Sequence, residues 1–423
     1  MQPKAMLRSM YQSPFLRHNA VFFVGSLGVA ALNYLYYPIL GRIMAPAEFG
    51  EVQAAFSLFL QATIFLNILA YVAVHVTVNS KDDAERNRTL LALEHITLLA
   101  CVAAIVVCLP LLGLLQNFLQ FDSVWPFVAL LAAMLISVPL NMRMAFLRGR
   151  KQYLRSSLTD GIGSASKLVL SLGLVVAGLG SAGAAMGLAL SQVISLGCGL
   201  WWGMQAGLGG IGLKRSNLNL AVLRPQLRYA GAVFLATIGV TVVMSLDILA
   251  VKHYFPPEQA GLYAGMATVG RIIFFLTAPF TAVLLTMVNL RAPAAKNMLW
   301  LKGTLGLTLA IGGAAVLTLA LGGDFIIKLL VGSKYLVYAN LLPQLCVAML
   351  LLGLANTLLM YQVALRRFIF SALPVAVTIF TLILVYVRHN EIAQVINDIL
   401  IGSSVLMLSV ATATWIYEKA RKK

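Results

Sequence analysis

The chain has 423 residues, 60% of them hydrophobic and only 11% charged, with a formal net charge of +17. A water-soluble fold with so few charges could not cover its apolar surface, which excludes a soluble globular protein. The basic excess does not indicate nucleic acid either: Lys and Arg fall in short segments between apolar blocks, with no aromatic interleaving in a polar domain.

The apolar blocks predict an all-α polytopic membrane protein with about twelve transmembrane helices, because roughly 20 residues at 1.5 Å each cross the hydrocarbon core. In chain order the spans cover 19–42, 52–78, 90–115, 125–147, 159–179 and 182–205, then 229–251, 260–290, 299–321, 340–362, 367–387 and 394–417. This divides the chain into an N-terminal segment (1–18), an N-lobe (19–205), a linker (206–228), a C-lobe (229–417) and a basic tail (418–423). Within the linker, residues 217–227 are expected to lie as an interfacial helix. Pro38, Pro110, Pro139, Pro279 and Pro374 are expected to kink their helices. The longest outer loop is read over 322–339, too short for an extramembrane catalytic domain. The first apolar run, from about Asn19, is too long for a signal-peptide core and lacks a small-residue cleavage site. Cys101, Cys108, Cys198 and Cys346 all sit in apolar runs without metal-like spacing and read as buried thiols.

Orientation follows from the loops. With the N-terminus in the cytoplasm, 24 of the 31 Lys and Arg fall on the cytoplasmic side. Arg42, Lys252, Lys328, Lys334 and Arg388 fall outside, and only Lys167 and Arg271 lie within spans. So lopsided a split predicts both termini inside and an even helix count. The halves also echo each other. Arg42-Ile-Met-Ala-Pro46-Ala-Glu48 returns 210 residues later as Lys252-His-Tyr-Phe-Pro256-Pro-Glu258, each time between the first and second helix of its half. Ala145-Phe-Leu-Arg148 is echoed by Val363-Ala-Leu-Arg366. Six helices per half put both halves in the membrane from the same side, as a parallel repeat.

Several of these segments carry a family likeness. Asn33-Tyr-Leu-Tyr-Tyr-Pro-Ile-Leu-Gly-Arg42 and Pro46-Ala-Glu-Phe-Gly50 resemble the start of Wzx-type polysaccharide flippases, in the multidrug/oligosaccharidyl-lipid/polysaccharide (MOP) exporter superfamily. Arg148-Gly-Arg-Lys-Gln-Tyr153, Asp247-Ile-Leu249, Glu258-Gln-Ala-Gly-Leu-Tyr-Ala264 and Gly270-Arg-Ile272 extend the likeness along the chain. The resemblance implies two six-helix lobes around a central cavity, alternating access, and a polyprenyl-pyrophosphate-linked oligosaccharide as substrate. It further implies the inner membrane and, as partners, a polysaccharide polymerase and ligase. No nucleic acid is expected.

An ionisable side chain at the bilayer centre costs about 2.5–3.5 kcal/mol on insertion scales, so each one needs a reason. Lys167 lies about eight residues into its span and Arg271 about eleven, roughly 16 Å deep. A pyrophosphate head crossing the bilayer needs cationic partners, and Arg grips it bidentately. The two are therefore expected to bind the anionic head; the competing reading pairs each with a buried polar group. Asp247 is either an H⁺ or Na⁺ coupling residue or half of a structural pair with Lys252 or Arg42. Arg42 and Lys252, at equivalent outer positions, form either a basic gate or interfacial snorkels. Arg143 is expected to guide the phosphate inward, and Asn33 to contact sugar hydroxyls or link helices. Glu94 and His95 are expected at the interface, and Asp160 near the cytoplasmic surface. No Walker, HExxH or GxSxG motif is present, so no cofactor is expected beyond a coupling ion, and a transporter is favoured over an enzyme. The alternatives are a drug or solute exporter and, from a different class, a membrane polymerase or glycosyltransferase.

Overall fold

Long apolar runs must satisfy every backbone group internally, and the helix does so within one segment. The structure, a computed structural model, describes residues 14–80, 82–212, 220–288, 290 and 293–421, and among them there is no strand. The helices are α1 (Pro14–Ile43), α2 (Pro46–Asn79), α3 (Asp83–Cys108), the short α4 (Leu112–Phe118), α5 (Trp125–Gly149), α6 (Tyr153–Leu174) and α7 (Gly180–Gln205). They continue as α8 (Leu220–Tyr254), α9 (Pro257–Gly270), α10 (Ile272–Met287), α11 (Ala294–Leu330), α12 (Leu342–Ala364), α13 (Ala372–Val387) and α14 (Ile392–Arg421). Local chemistry sets several ends. The Asp82 carboxylate caps α3 by accepting from Ala84 and Glu85 N–H at 3.2 and 3.1 Å. Pro46 and Pro257 open α2 and α9, where a missing N–H costs nothing.

Among the described residues, ten helical stretches are long and apolar enough to cross a membrane. One of them, Tyr153–Gln205, holds two helices and not one. Its chain folds back through Val175–Leu179, where Gly178 (φ 91°) and Gly180 (φ 50°) adopt left-handed backbone that side chains resist.

By its contacts the chain groups into two units. The first comprises 1–37, 65–114 and 123–224; the second comprises 38–64, 115–122 and 225–423. Of the expected interfacial helix at 217–227, residues 217–219 lie outside the described residues, and from Leu220 the chain is continuous with α8.

In the first unit α6 and α7 pack antiparallel through small residues. A Cβ on Gly187 would stand 2.3 Å from the Ser171 hydroxyl, and one on Gly163 would stand 2.2 Å from that of Ser195. Leu66, Cys101 and Val138 knit α2, α3 and α5 into one apolar cluster. The second unit is organised on α12, which packs against α10, α11 and α14. Tyr335, fully buried, lies over Gly265 and donates to the Gly41 carbonyl at 2.8 Å. The first echoed segment meets the start of α9 here: a Cβ on Gly261 would crowd the Pro46 carbonyl oxygen, and one on Gly50 would fall 2.9 Å from the Gly261 Cα.

One expectation is corrected. The stretch read as an outer loop over 322–339 is helical: α11 bends at Gly322 and runs on to Leu330, followed by a 3₁₀ turn over Ser333–Leu341. Phe325-Ile-Ile within it is apolar enough to stay in the helix. The span read as 260–290 is one apolar stretch, Pro257–Leu285, with a single-residue turn at Arg271 between α9 and α10. At Pro110 the backbone passes into 3₁₀ geometry over Leu109–Leu111. Apolar side chains exposed on α3, α11 and α13, such as Val107, Leu317, Leu321 and Ile383, have lipid as their solvent.

Gly261→Ala drives a methyl into backbone that cannot yield, and is expected to cost about 3 kcal/mol. Gly303, with open space around it, should accept Ala at a gain of up to about 1 kcal/mol from helix propensity. Thermal unfolding of both variants in a neutral detergent checks the contrast.

Candidate functional site

Each unit buries one of the mid-span cations foreseen in the sequence, and each solves the cost of doing so differently. In the first unit, Lys167 on α6 is 8% exposed. Its ammonium donates to Asn33 Oδ1 at 2.5 Å and sits 4.6 Å from the centre of the Tyr36 ring. Asn33 is itself fixed, donating through Nδ2 to the Val29 carbonyl at 3.0 Å and to the Ser164 hydroxyl at 2.9 Å. The Tyr36 hydroxyl contacts the Ser171 hydroxyl at 3.3 Å. Asn33 and Tyr36 orient the ammonium, and Asn33 joins α1 to α6 through Lys167 and Ser164.

In the second unit the charge is cancelled. Arg271, at the α9–α10 break, places Nη2 2.5 Å from Asp247 Oδ1. Its Nε and Nη2 also reach the Met244 carbonyl, at 3.3 and 3.2 Å. The other oxygen of Asp247 accepts from the Tyr263 hydroxyl at 2.6 Å. Asp247 is fully buried with both oxygens engaged, and its ion-pair partner is Arg271, not Lys252 or Arg42. The turn at Arg271 frees the side chain to reach back to α8 while Phe275 N–H still finds the Arg271 carbonyl.

The remaining cations separate. Arg143 on α5 is wholly buried, 3.0 Å from Glu94 Oε2, and donates to the Gly210 carbonyl. Gly199 and Gly203 on α7 leave the groove its stem occupies. The Glu94 carboxylate is buried against Arg143, 49 residues away in the chain. His95 contacts the Gly212 carbonyl at 3.0 Å. Asp160 pairs with half-exposed Arg148 at 2.9 Å. Arg42 is exposed and donates from Nε to the Leu330 carbonyl at 3.0 Å and from Nη2 to that of Leu329. Lys252 is buried 3.9 Å from Glu51 and above the Phe121 ring at 5.3 Å. Glu51 in turn accepts from the Asp122 N–H at 2.8 Å. Arg42 and Lys252 are tied to different partners, the α11 end and Glu51.

Sequence reasoning missed four participants. Tyr263, Glu51 and Glu418 act through partners distant in the chain, and nothing local marks them; Glu418 pairs with Arg367 at 2.5 Å. Asp398, fully buried on α14 and 3.6 Å from Arg388, did carry a readable signal, being an acid inside an apolar span. Among the described residues no cluster of His, Cys, Asp and Glu could hold a metal ion.

The architecture is shared with known transporters. It aligns with an inward-facing multidrug resistance MATE family transporter of the MOP superfamily at a TM-score of 0.75, with 17% identity over 93% of this chain and 95% of that one. Lipid II flippase MurJ in an inward closed conformation aligns at 0.73, with 13% identity over 93% and 87% of the two chains. A MOP superfamily transporter from Pyrococcus furiosus aligns at 0.58, with 16% identity over 96% of each. No curated protein matches in sequence. The fold is thus that of MOP superfamily transporters, in a multi-pass membrane protein. A profile described as "Polysaccharide biosynthesis protein" matches residues 15–287, and the chain belongs to that family.

Removing one partner of a buried ion pair strands the other. Asp247→Leu is therefore expected to destabilise the protein by about 3–5 kcal/mol, and adding Arg271→Met should recover most of the loss. Thermal unfolding of the single and double variants measures the coupling; additive effects would mean that the pair contributes nothing.

Proposed function

We propose that this protein is an alternating-access flippase that carries a polyprenyl-pyrophosphate-linked oligosaccharide from the inner to the outer leaflet of the cytoplasmic membrane. The observation that carries this reading is Lys167, a cation buried on α6 in the interior of an expected span and held by Asn33 and Tyr36. Arg271 is the second anchor. Asp247 and the Met244 carbonyl are met by its Nε and Nη2, so a diphosphate can engage Nη1 without displacing Asp247. Family membership supports a polysaccharide precursor as cargo, and the fold shared with a lipid II flippase supports lipid-linked cargo. The reading includes twelve spans with both termini cytoplasmic. It also includes H⁺ or Na⁺ coupling through Asp247, whose pairing with Arg271 a proton would loosen. The glycan would be an O-antigen, capsule or exopolysaccharide unit, handed on to a polymerase and ligase. Carriage needs no covalent step, so no catalytic residue is assigned.

A drug or solute exporter is the second reading, favoured by the alignment with a multidrug transporter. The two readings separate on cargo.

Purified protein in proteoliposomes, supplied with a fluorescent polyprenyl-pyrophosphate oligosaccharide, should deliver it unaltered to the opposite leaflet. Lys167→Gln is expected to slow delivery about tenfold or more by removing one charge-assisted contact. Normal delivery by a folded Lys167→Gln, Arg271→Ala double variant would refute the cationic anchors. A lengthened or cleaved glycan would move the protein to the enzymes, and movement of cationic drugs alone would move it to the exporters.

A further inference from the structure

A recess of about 430 Å³ opens in the second unit, lined by Arg42, Lys328, Val331, Gly332, Ser333 and Lys334. Three of these residues are cations and none is acidic. On the charge reading of the sequence this is the outer side, where only five Lys and Arg fall. Three of those five converge here, although cations are sparse on that side and nothing in the topology rule would gather them.

Helix-end capping accounts for only part of the charge. Arg42 donates to the Leu329 and Leu330 carbonyls at the C-terminus of α11. Lys334 donates to the Met44 carbonyl, just past the end of α1, at 2.6 Å. Each helix C-terminus offers roughly half a negative charge, so the two together offset about one of the three positive charges. About two remain. Asp324, one turn before Lys328 on α11, does not line the recess. Arg42 and Lys334 are held in place by these carbonyls, so a ligand need not order them. Gly332 (φ 114°) contributes backbone without a side chain and keeps the recess open. Lys328 is exposed and completes the set from the last turn of α11.

We propose that this recess binds a dianionic phosphate-type group, a phosphomonoester or a diphosphate. Its net charge matches two negative charges better than one, and the Arg42 guanidinium with two ammonium groups suits oxygen anions of that shape. The group can arrive on a membrane lipid headgroup or on a soluble phosphate compound. Neither Lys167 nor Arg271 lines the recess, so the site stands or falls independently of the carriage proposed above.

Inorganic pyrophosphate titrated calorimetrically into the full-length protein in phosphatidylcholine nanodiscs tests the site. Wild type should bind, and Lys328→Gln/Lys334→Gln should bind about tenfold more weakly or worse, since two charge-assisted contacts are lost. Lys296→Gln/Lys302→Gln, which removes the same charge from exposed positions near the start of α11, should bind as wild type does. Native mass spectrometry then separates the sources. Selective retention of phosphatidic acid over phosphatidylcholine, lost in the recess variant, assigns a lipid headgroup. Pyrophosphate binding without lipid retention assigns a soluble anion. Absence of both, or equal weakening in the recess and control variants, overturns the proposal.

Discussion

A charge taken out of water must find its compensation inside the protein, and the placement of the helices in both units follows from how that is done. Desolvation of an ion costs several kcal/mol, more than any single apolar contact returns. Arg271 meets the cost with a carboxylate, a carbonyl and, through Asp247, a tyrosine. That cluster ties α8, α9 and α10 together at the point where the span bends. Arg143 meets it with Glu94 and the Gly210 carbonyl, which ties α3 and α5 to the segment following α7. The glycines beside these side chains belong to the same solution. Gly199 and Gly203 exist in α7 where the stem of Arg143 must pass.

The two mid-span cations are chemically unequal, and that inequality suits carriage. Lys167 is a point charge solvated by an amide oxygen and a ring face. Arg271 already holds a carboxylate, so an anion reaching it competes with Asp247 or shares the guanidinium. In the carriage proposed above, Lys167 attracts the head group and Asp247 wins Arg271 back. The recess around Arg42, Lys328 and Lys334 is of a third kind, open and with excess positive charge.

Helix breaks fall where the backbone is weakest or the side chain demands it. Gly178 and Gly180 turn the chain between α6 and α7, Gly322 bends α11, and Arg271 interrupts the eighth expected span. By contrast Pro38 and Pro139 remain inside continuous helices. Transmembrane helices tolerate proline because the freed carbonyl can find another partner. Glycine at a close approach is less forgiving, as at Gly261 against the Pro46 carbonyl.

The sequence by itself determined the helical class, the positions of the apolar segments, the asymmetry of charge and the identity of the two mid-span cations. All of these rest on local composition, which a bilayer converts directly into structure. It also exposed the duplicated corner, because proline and glutamate recur at a fixed offset. It did not determine partners. Asp247 was legible as an intramembrane acid, but whether it faced Lys252, Arg42 or Arg271 depended on which turn of α9 came to rest beside α8. Nothing near Glu94 in the chain named its partner, which is Arg143, 49 residues away. Lys328 and Lys334 were legible only as outer charges, and they became a recess with Arg42 when the end of α1 met the end of α11. Tertiary structure decided these matters because electrostatic compensation acts through space, over a few ångströms, between residues that the chain holds far apart.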